Sequence, residues 1–176
     1  MDNEKPRKFS SDPRIYPAGF IKDWEEGVTD EDRAETVYAI FQKRLKEANI
    51  TIPVDAKVLE IGSGRGVFLR YLQKLGFDAV GVDARPRGEQ DNKVVRARVE
   101  QLPFPDESFN LIFSNAVFDR ELYHQDQLAM VKEIVRVLKH GGIYYGLLND
   151  GETPLEESLE VLGGNFPIGS GIYRKK

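Results

Sequence analysis

The sequence predicts one α/β domain with a mostly parallel sheet and helices on both of its faces, and three observations point there. Short β-branched runs alternate with helically spaced apolar residues from about residue 57 onward. The first of these runs opens directly into a glycine-rich turn. The chain has 176 residues, 40% hydrophobic and 31% charged, which suits a single core without metals or disulfides and is too apolar for disorder.

The elements follow in order. Residues 1–28 carry Pro6, Pro13, Pro17, Gly19 and Gly27 among Tyr16, Phe20 and Trp24, so they read as an irregular arm with aromatic anchors. The arm either lids a pocket or covers a sheet flank, and the domain proper is expected over 29–176. Thr29 can cap a helix, and Asp30, Glu31 and Asp32 suit its positive end. Val37, Ile40, Phe41 and Leu45 then recur at helical spacing, which predicts a helix to about Ala48.

Pro53 breaks the chain before a first strand over 57–61, which ends in Gly62, Gly64 and Gly66. Phe68, Leu69, Tyr71, Leu72 and Leu75 predict a helix closed by Gly76, followed by a second strand over 79–83. A third strand is expected over 94–99 and a fourth over 109–116. Leu128, Val131, Ile134, Val135 and Leu138 predict a helix ending at Gly141-Gly142, with a fifth strand over 143–148. Strands that alternate with helices imply right-handed crossovers and a parallel sheet. A short helix over 154–162 and a segment over 166–173 are expected to close the sheet with an antiparallel hairpin.

Composition narrows the function classes. Without cysteine there is no disulfide framework, thiolate zinc site or cysteine nucleophile, and no metal site is expected. The polar N-terminus lacks the apolar core of a signal peptide and no stretch is long enough to span a bilayer, so a cytoplasmic protein without membrane contact is expected. A formal net charge of −4 gives no global attraction to phosphate backbones, and the basic patches at Lys5–Lys8 and Arg174–Lys176 are terminal. Nucleic acid is therefore not the expected partner.

In an open parallel sheet, ligands bind beyond the carboxyl ends of the strands, where the strand order reverses. The first strand's exit is Glu60-Ile61-Gly62-Ser63-Gly64-Arg65-Gly66. Glycines let the backbone turn sharply and approach a ligand, and the helix start beyond them offers unpaired N–H groups. Roughly twenty residues on, Asp83 ends the second strand, where a carboxylate can accept from vicinal ribose hydroxyls. A nucleoside ligand follows. The dinucleotide spacing G-x-G-x-x-G would need glycine where Val67 stands, which disfavours NAD and FAD.

Together the E-x-G-x-G-x-G turn, Gly81-Val82-Asp83, Leu102-Pro103-Phe104-Pro105-Asp106 with Ser108-Phe109-Asn110, Ser114-Asn115-Ala116 and the helix ending Val137-Leu138-Lys139-His140-Gly141-Gly142 resemble class I S-adenosylmethionine-dependent methyltransferases of the small-molecule type. The resemblance covers about 57–148. It implies a Rossmann-like class I methyltransferase fold and S-adenosyl-L-methionine as cofactor. It implies further that Gly62, Ser63 and Gly64 pack under the methionine part with Glu60 toward its ammonium, and that Asp83, with Ala84 beside it, holds the ribose. A backbone N–H of Val99 with side-chain help from Glu100 would hold the adenine, and Asn115 to Phe118 would flank the sulfonium.

Two departures from that family matter. Arg98 stands where an aspartate usually meets the adenine amine, and arginine cannot accept a hydrogen bond. Either Glu100 substitutes, or Arg98 stacks on the ring or faces the acceptor. Only the stretch 84–93, with Pro86 and Gly88, separates the second and third strands, so a loop is expected to replace the usual crossover helix.

Methyl transfer asks little of the protein beyond alignment, because the cofactor carries the activated group. If a base is needed, His124 is the first candidate and Asp119 the second, both after the fourth strand. His140 reads only as a cation favouring the last turn of its helix. The expected function is transfer of a methyl group to an unidentified acceptor, a small molecule by preference. The alternatives are a non-catalytic cofactor-binding interaction protein, an enzyme acting on protein or RNA, or a different nucleotide-binding enzyme.

Overall fold

The computed structural model describes residues 29–86, 93–114, 127–147, 158–163 and 170–176. Helix α1 (Asp30–Glu47) starts at a reciprocal cap: the Thr29 hydroxyl accepts from the Asp32 amide while the Asp32 carboxylate accepts from the Thr29 amide. These bonds to Thr29 hold the Asp32 carboxyl below the ordinary carboxylate range. Strand β1 (Lys57–Ile61), helix α2 (Val67–Lys74) and strand β2 (Asp78–Asp83) form a βαβ unit whose strands pair in parallel. Then come β3 (Val94–Arg96), β4 (Phe109–Ser114), helix α3 (Gln127–Val137), β5 (Leu138–Leu147), β6 (Leu159–Gly163) and β7 (Ser170–Lys175).

The strands form one seven-stranded sheet in the order β3-β2-β1-β4-β5-β7-β6. Pairing is parallel from β3 to β5, and β7 adds antiparallel to both β5 and β6. The order reverses between β1 and β4, so the crevice opens there. Ile61 pairs with Val82 on one side and Ser114 on the other, so three strands end at one level.

Each face of the sheet is buried under helices. On one face Phe41 and Leu45 of α1 and Phe68, Leu69 and Leu72 of α2 pack on Val58, Ala79, Leu111 and Phe113. Phe113 stacks on Tyr145 at 5.2 Å and meets Phe41 edge-on at 5.6 Å. On the other face Met130, Ile134 and Val137 of α3 cover Leu59, Ile61, Ile112 and Tyr144. Side chains of this size each contribute about 1.5–3 kcal/mol when fully buried, and they fix the level of the strand ends that carry the site.

Four expectations are corrected. The third strand stops at Arg96 instead of reaching residue 99, because the Ala97 amide bonds back to the Asp83 carbonyl and the chain then turns, Gln101 donating to Arg98. Helix α3 ends at Val137 instead of Gly141-Gly142, since Leu138 already pairs with Phe109. The two glycines serve a bulge: Gly141 has φ 71°, and a Cβ on Gly142 would lie 2.8 Å from the Lys139 carbonyl. His140 therefore sits within β5, where Nε2 faces Glu107 at 3.0 Å and Nδ1 faces the Lys176 carbonyl at 2.7 Å. Residues 159–162 are strand, not helix, with Leu159 paired to Lys175 at the sheet edge.

The fifth strand accordingly starts at Leu138 instead of residue 143, and the remaining boundaries shift by one or two residues at most where they are described. The fourth strand is observed to Ser114, and 115–126 lie outside the described residues. So do the arm over 1–28 and residues 87–92 of the link between β2 and β3. Among the described residues, no helix is long and apolar enough to cross a membrane and no His/Cys/Asp/Glu cluster could hold a metal.

Candidate cofactor site

The glycine turn is tied to β2 as it leaves β1. The amides of Gly62 and Ser63 both donate to the Val82 carbonyl, at 2.8 and 3.1 Å, and Gly66 donates to the Ser63 carbonyl at 2.6 Å. Gly62, Gly64 and Gly66 have φ of 75°, 53° and 69°, which any other L-residue would adopt at about 1–2 kcal/mol each. Among the described residues, nothing lies within 4 Å of the Cβ position of Gly64, so none of them blocks a close approach to its backbone.

Asp83 closes the loop from the side. Its Oδ2 accepts from the Gly64 amide at 2.8 Å, and its Oδ1 accepts from the Arg85 amide at 2.7 Å. Each carboxylate oxygen keeps a further lone pair, so the group is oriented and still able to accept from a diol. Asp83 is partly exposed, and Ala84 beside it is exposed.

Glu60 lies beneath the loop at 7% exposure. The Leu69 amide in the first turn of α2 donates to its carboxylate, supplying the cap that Gly66 has no side chain to give. Its Oε2 has no partner among the described residues. Burial, reinforced by the nearby Asp83 charge, pushes the Glu60 carboxyl up to about 8, against the opposing Leu69 bond and Arg70 guanidinium. An approaching cation would reverse that balance, so the orphaned oxygen fits the ammonium of a methionine-type ligand.

Ser63 is turned away from this opening. Its Oγ would stand 2.6 Å from a Cβ on Gly81, so its side chain packs toward β2 and only its backbone borders the loop. Gly81 makes that packing possible. The sequence shows Gly81 only as part of the Gly81-Val82-Asp83 motif, although a glycine inside a strand signals a close neighbour.

At the end of β3, the Val99 side chain is buried in the core and Glu100 forms a 2.7 Å ion pair with Arg98. On the other side of the crevice, buried Ser114 neighbours the Tyr144 hydroxyl, whose pKa burial raises. Asn115, Phe118, Asp119 and His124 lie outside the described residues. Glu60, Gly62, Gly64, Asp83 and Ser114 are brought to one edge.

A further set of contacts was not read from the sequence. Arg65 of the glycine turn pairs with Asp30 at 2.8 Å, and Lys74 of α2 pairs with Glu31. The acidic first turn of α1 thereby grips the loop as well as complementing the helix dipole.

Comparison with known proteins decides what family this geometry belongs to. The methyltransferase domain family matches residues 59–146, half of the chain. The chain belongs to that family. This methyltransferase domain is 32% identical over 112 residues to an uncharacterised protein of Methanocaldococcus jannaschii, covering 62% of this chain and 53% of the other. It is 30% identical over 124 residues to an uncharacterised methyltransferase of Mycobacterium sp. (strain JLS), covering 66% of this chain and 46% of that protein. The chain thus spans about half the length of the curated relatives it matches.

A solved TehB-like S-adenosylmethionine-dependent methyltransferase from Corynebacterium glutamicum shares the fold with a TM-score of 0.56 at 22% identity, over 81% of this chain and 98% of that one. The sheet order and the antiparallel β7 are those of the class I methyltransferase fold. Membership in the family implies S-adenosylmethionine as the cofactor.

Proposed function

We propose that this methyltransferase domain transfers a methyl group from S-adenosylmethionine to a small-molecule acceptor. The observation that carries the reading is the buried Glu60 carboxylate, with one oxygen unpartnered among the described residues, beneath a glycine loop whose Gly64 amide is hydrogen-bonded to Asp83. A ligand with a cationic amino acid at one end and a ribose at the other matches both carboxylates at once.

In this reading Glu60 receives the ammonium, the backbone of Gly62, Ser63 and Gly64 lies under the methionine chain, and Asp83 with Ala84 holds the ribose hydroxyls. The Val99 amide and Glu100 meet the adenine, while Asn115 and Phe118 flank the sulfonium. The bound cofactor supplies an activated methyl group. The chain's own work is to orient acceptor and donor in line and to exclude water. Where the acceptor must lose a proton, His124 takes it, with Asp119 next in rank.

The arm over 1–28 is read as the lid. Asp30 is bound to Arg65 of the glycine turn, so the chain enters α1 at the rim of the site. Tyr16, Phe20 and Trp24, which precede that entry in the sequence, are the aromatics this reading assigns to the lid. A small acceptor is preferred to nucleic acid because the net charge is −4. The test is a turnover screen with S-adenosylmethionine over small-molecule, peptide and RNA acceptors, following S-adenosylhomocysteine formation. Turnover confined to small molecules supports the reading, and turnover only on peptide or RNA overturns its acceptor class.

A further inference from the structure

The segment that joins β3 to β4, residues 97–108, carries neither helix nor strand, yet its backbone is tied down along its length. At its start the Ala97 amide donates to the Asp83 carbonyl at 3.1 Å. The segment therefore leaves β3 fastened to the residue whose carboxylate orients the glycine loop. A turn follows, closed by the Gln101 amide on the Arg98 carbonyl at 3.1 Å, with the side chains of Val99 within it and Leu102 just past it buried in the core.

At the exit of that turn α3 takes hold. Glu133 Oε2 accepts from the Leu102 amide at 2.7 Å, and Arg136 Nη2 donates to the Leu102 carbonyl at 3.0 Å. Two side chains three residues apart on one helix thus hold both backbone groups of a single residue. Arg136 is itself aimed by Glu133, to whose two oxygens Nε and Nη2 donate at 2.7 and 2.8 Å. Its Nη1 donates to the Phe104 carbonyl at 2.8 Å and to Asp106 at 2.7 Å. All three guanidinium nitrogens are engaged, and a planar fork of five donors is what serves a carboxylate and two carbonyls at once. Met130, Ile134 and Val137 already fasten α3 to the sheet, so the polar pair acts on the segment more than on its own helix.

We propose that Glu133 and Arg136 are positioning residues for the nucleoside end of the cofactor: by fixing Leu102 at the exit of the 98–101 turn, whose entry is fixed on Asp83, they hold the backbone of that turn at one spacing from the Asp83 carboxylate. The proposal rests on the S-adenosylmethionine reading above. Both residues act through the segment and neither touches the ligand. A turn gripped at both ends has lost its conformational freedom before the ligand arrives, so less is lost on binding.

The experiment is calorimetric titration of the full chain and its variants with S-adenosylhomocysteine, with thermal melting of each. Arg136→Ala should weaken binding about threefold to tenfold, the scale of the ordering that one or two hydrogen bonds supply. Arg136→Lys keeps the charge but not the fork and should lose nearly as much, whereas Glu133→Gln keeps an acceptor for the Leu102 amide and should retain most of the affinity. Leu159→Ala in β6 controls for lost stability: it should melt earlier at unchanged affinity. Amide hydrogen exchange on the native chain reads the turn without any variant, and S-adenosylhomocysteine should slow exchange of the Gln101 and Leu102 amides.

Unchanged affinity in a folded Arg136→Ala variant overturns the proposal, as does an equal loss in Leu159→Ala, which would mark general loosening. Unaltered exchange at Gln101 and Leu102 in a native chain that binds the ligand overturns it too. In each of these cases the native chain still binds S-adenosylhomocysteine, so the underlying reading survives. A native chain that does not bind it overturns both.

Discussion

The Gly64 amide donates to the Asp83 carboxylate at 2.8 Å across 19 residues of sequence, which makes the glycine loop and the end of β2 one unit. Asp83 therefore orients the loop, and under the proposed function it also accepts from the ribose. Asp83→Ala is expected to weaken S-adenosylhomocysteine by about 1–3 kcal/mol. It should also lower stability by about 1 kcal/mol, because the Gly64 and Arg85 amides lose their acceptor. Asp83→Asn keeps an acceptor oxygen and should recover much of the stability but less of the affinity. Titration calorimetry paired with urea denaturation checks both halves.

Glu60 predicts a pH dependence with a definite sign. Its carboxyl is raised from 4.5 to about 8 in the folded chain. A raised acid contributes stability that is full below the unfolded value and is lost as pH rises through the folded one. Stability without ligand should therefore decline between about pH 4.5 and 8, and Glu60→Gln should flatten the decline. An ammonium beside Glu60 favours the ionised form, so binding of S-adenosylhomocysteine at pH 7 should release a proton. Calorimetry in buffers of different ionisation enthalpy reads that release, and its absence would count against the Glu60 contact.

Gly81 and Ser63 make a steric prediction. A Cβ at position 81 would stand 2.6 Å from the Ser63 hydroxyl and 3.0 Å from Leu69. Gly81→Ala should cost about 1–3 kcal/mol by overpacking, and Ser63→Gly in the same chain should return part of it. A double-mutant cycle by denaturant unfolding measures the coupling. Additive losses would mean that the two positions do not share this space.

Deleting residues 1–28 while retaining Thr29 leaves the cap of α1 and its Asp30–Arg65 contact in place. The truncated chain is expected to melt cooperatively and bind S-adenosylhomocysteine, yet to lose methyl transfer. Undiminished turnover would reject the lid, and loss of cooperative melting would make the arm structural.

Much of the fold was legible because local signals and tertiary packing agree over most of it. Thr29 with Asp32, and Gly76 with φ 94°, mark helix ends in sequence and in structure alike. The misread ends lie where a long-range pairing outcompetes a local signal: Leu138 joins β4 before the helix pattern runs out, and Leu159 takes its partner at Lys175. In the candidate site, the meeting of Gly64 with Asp83 was legible from spacing, since a glycine turn after one parallel strand and the end of the next share one sheet edge. The Ser63–Gly81 packing and the Arg65–Asp30 grip depend on side-chain directions that no periodicity encodes.

The most direct measurement is calorimetric titration of the native chain and of Asp83→Ala with S-adenosylhomocysteine, with NADH as the control. The account predicts one-to-one binding to the native chain, weakening by about 1–3 kcal/mol in the variant, and no uptake of NADH. Binding of NADH without S-adenosylhomocysteine, or unchanged affinity in a folded Asp83→Ala variant, would contradict it.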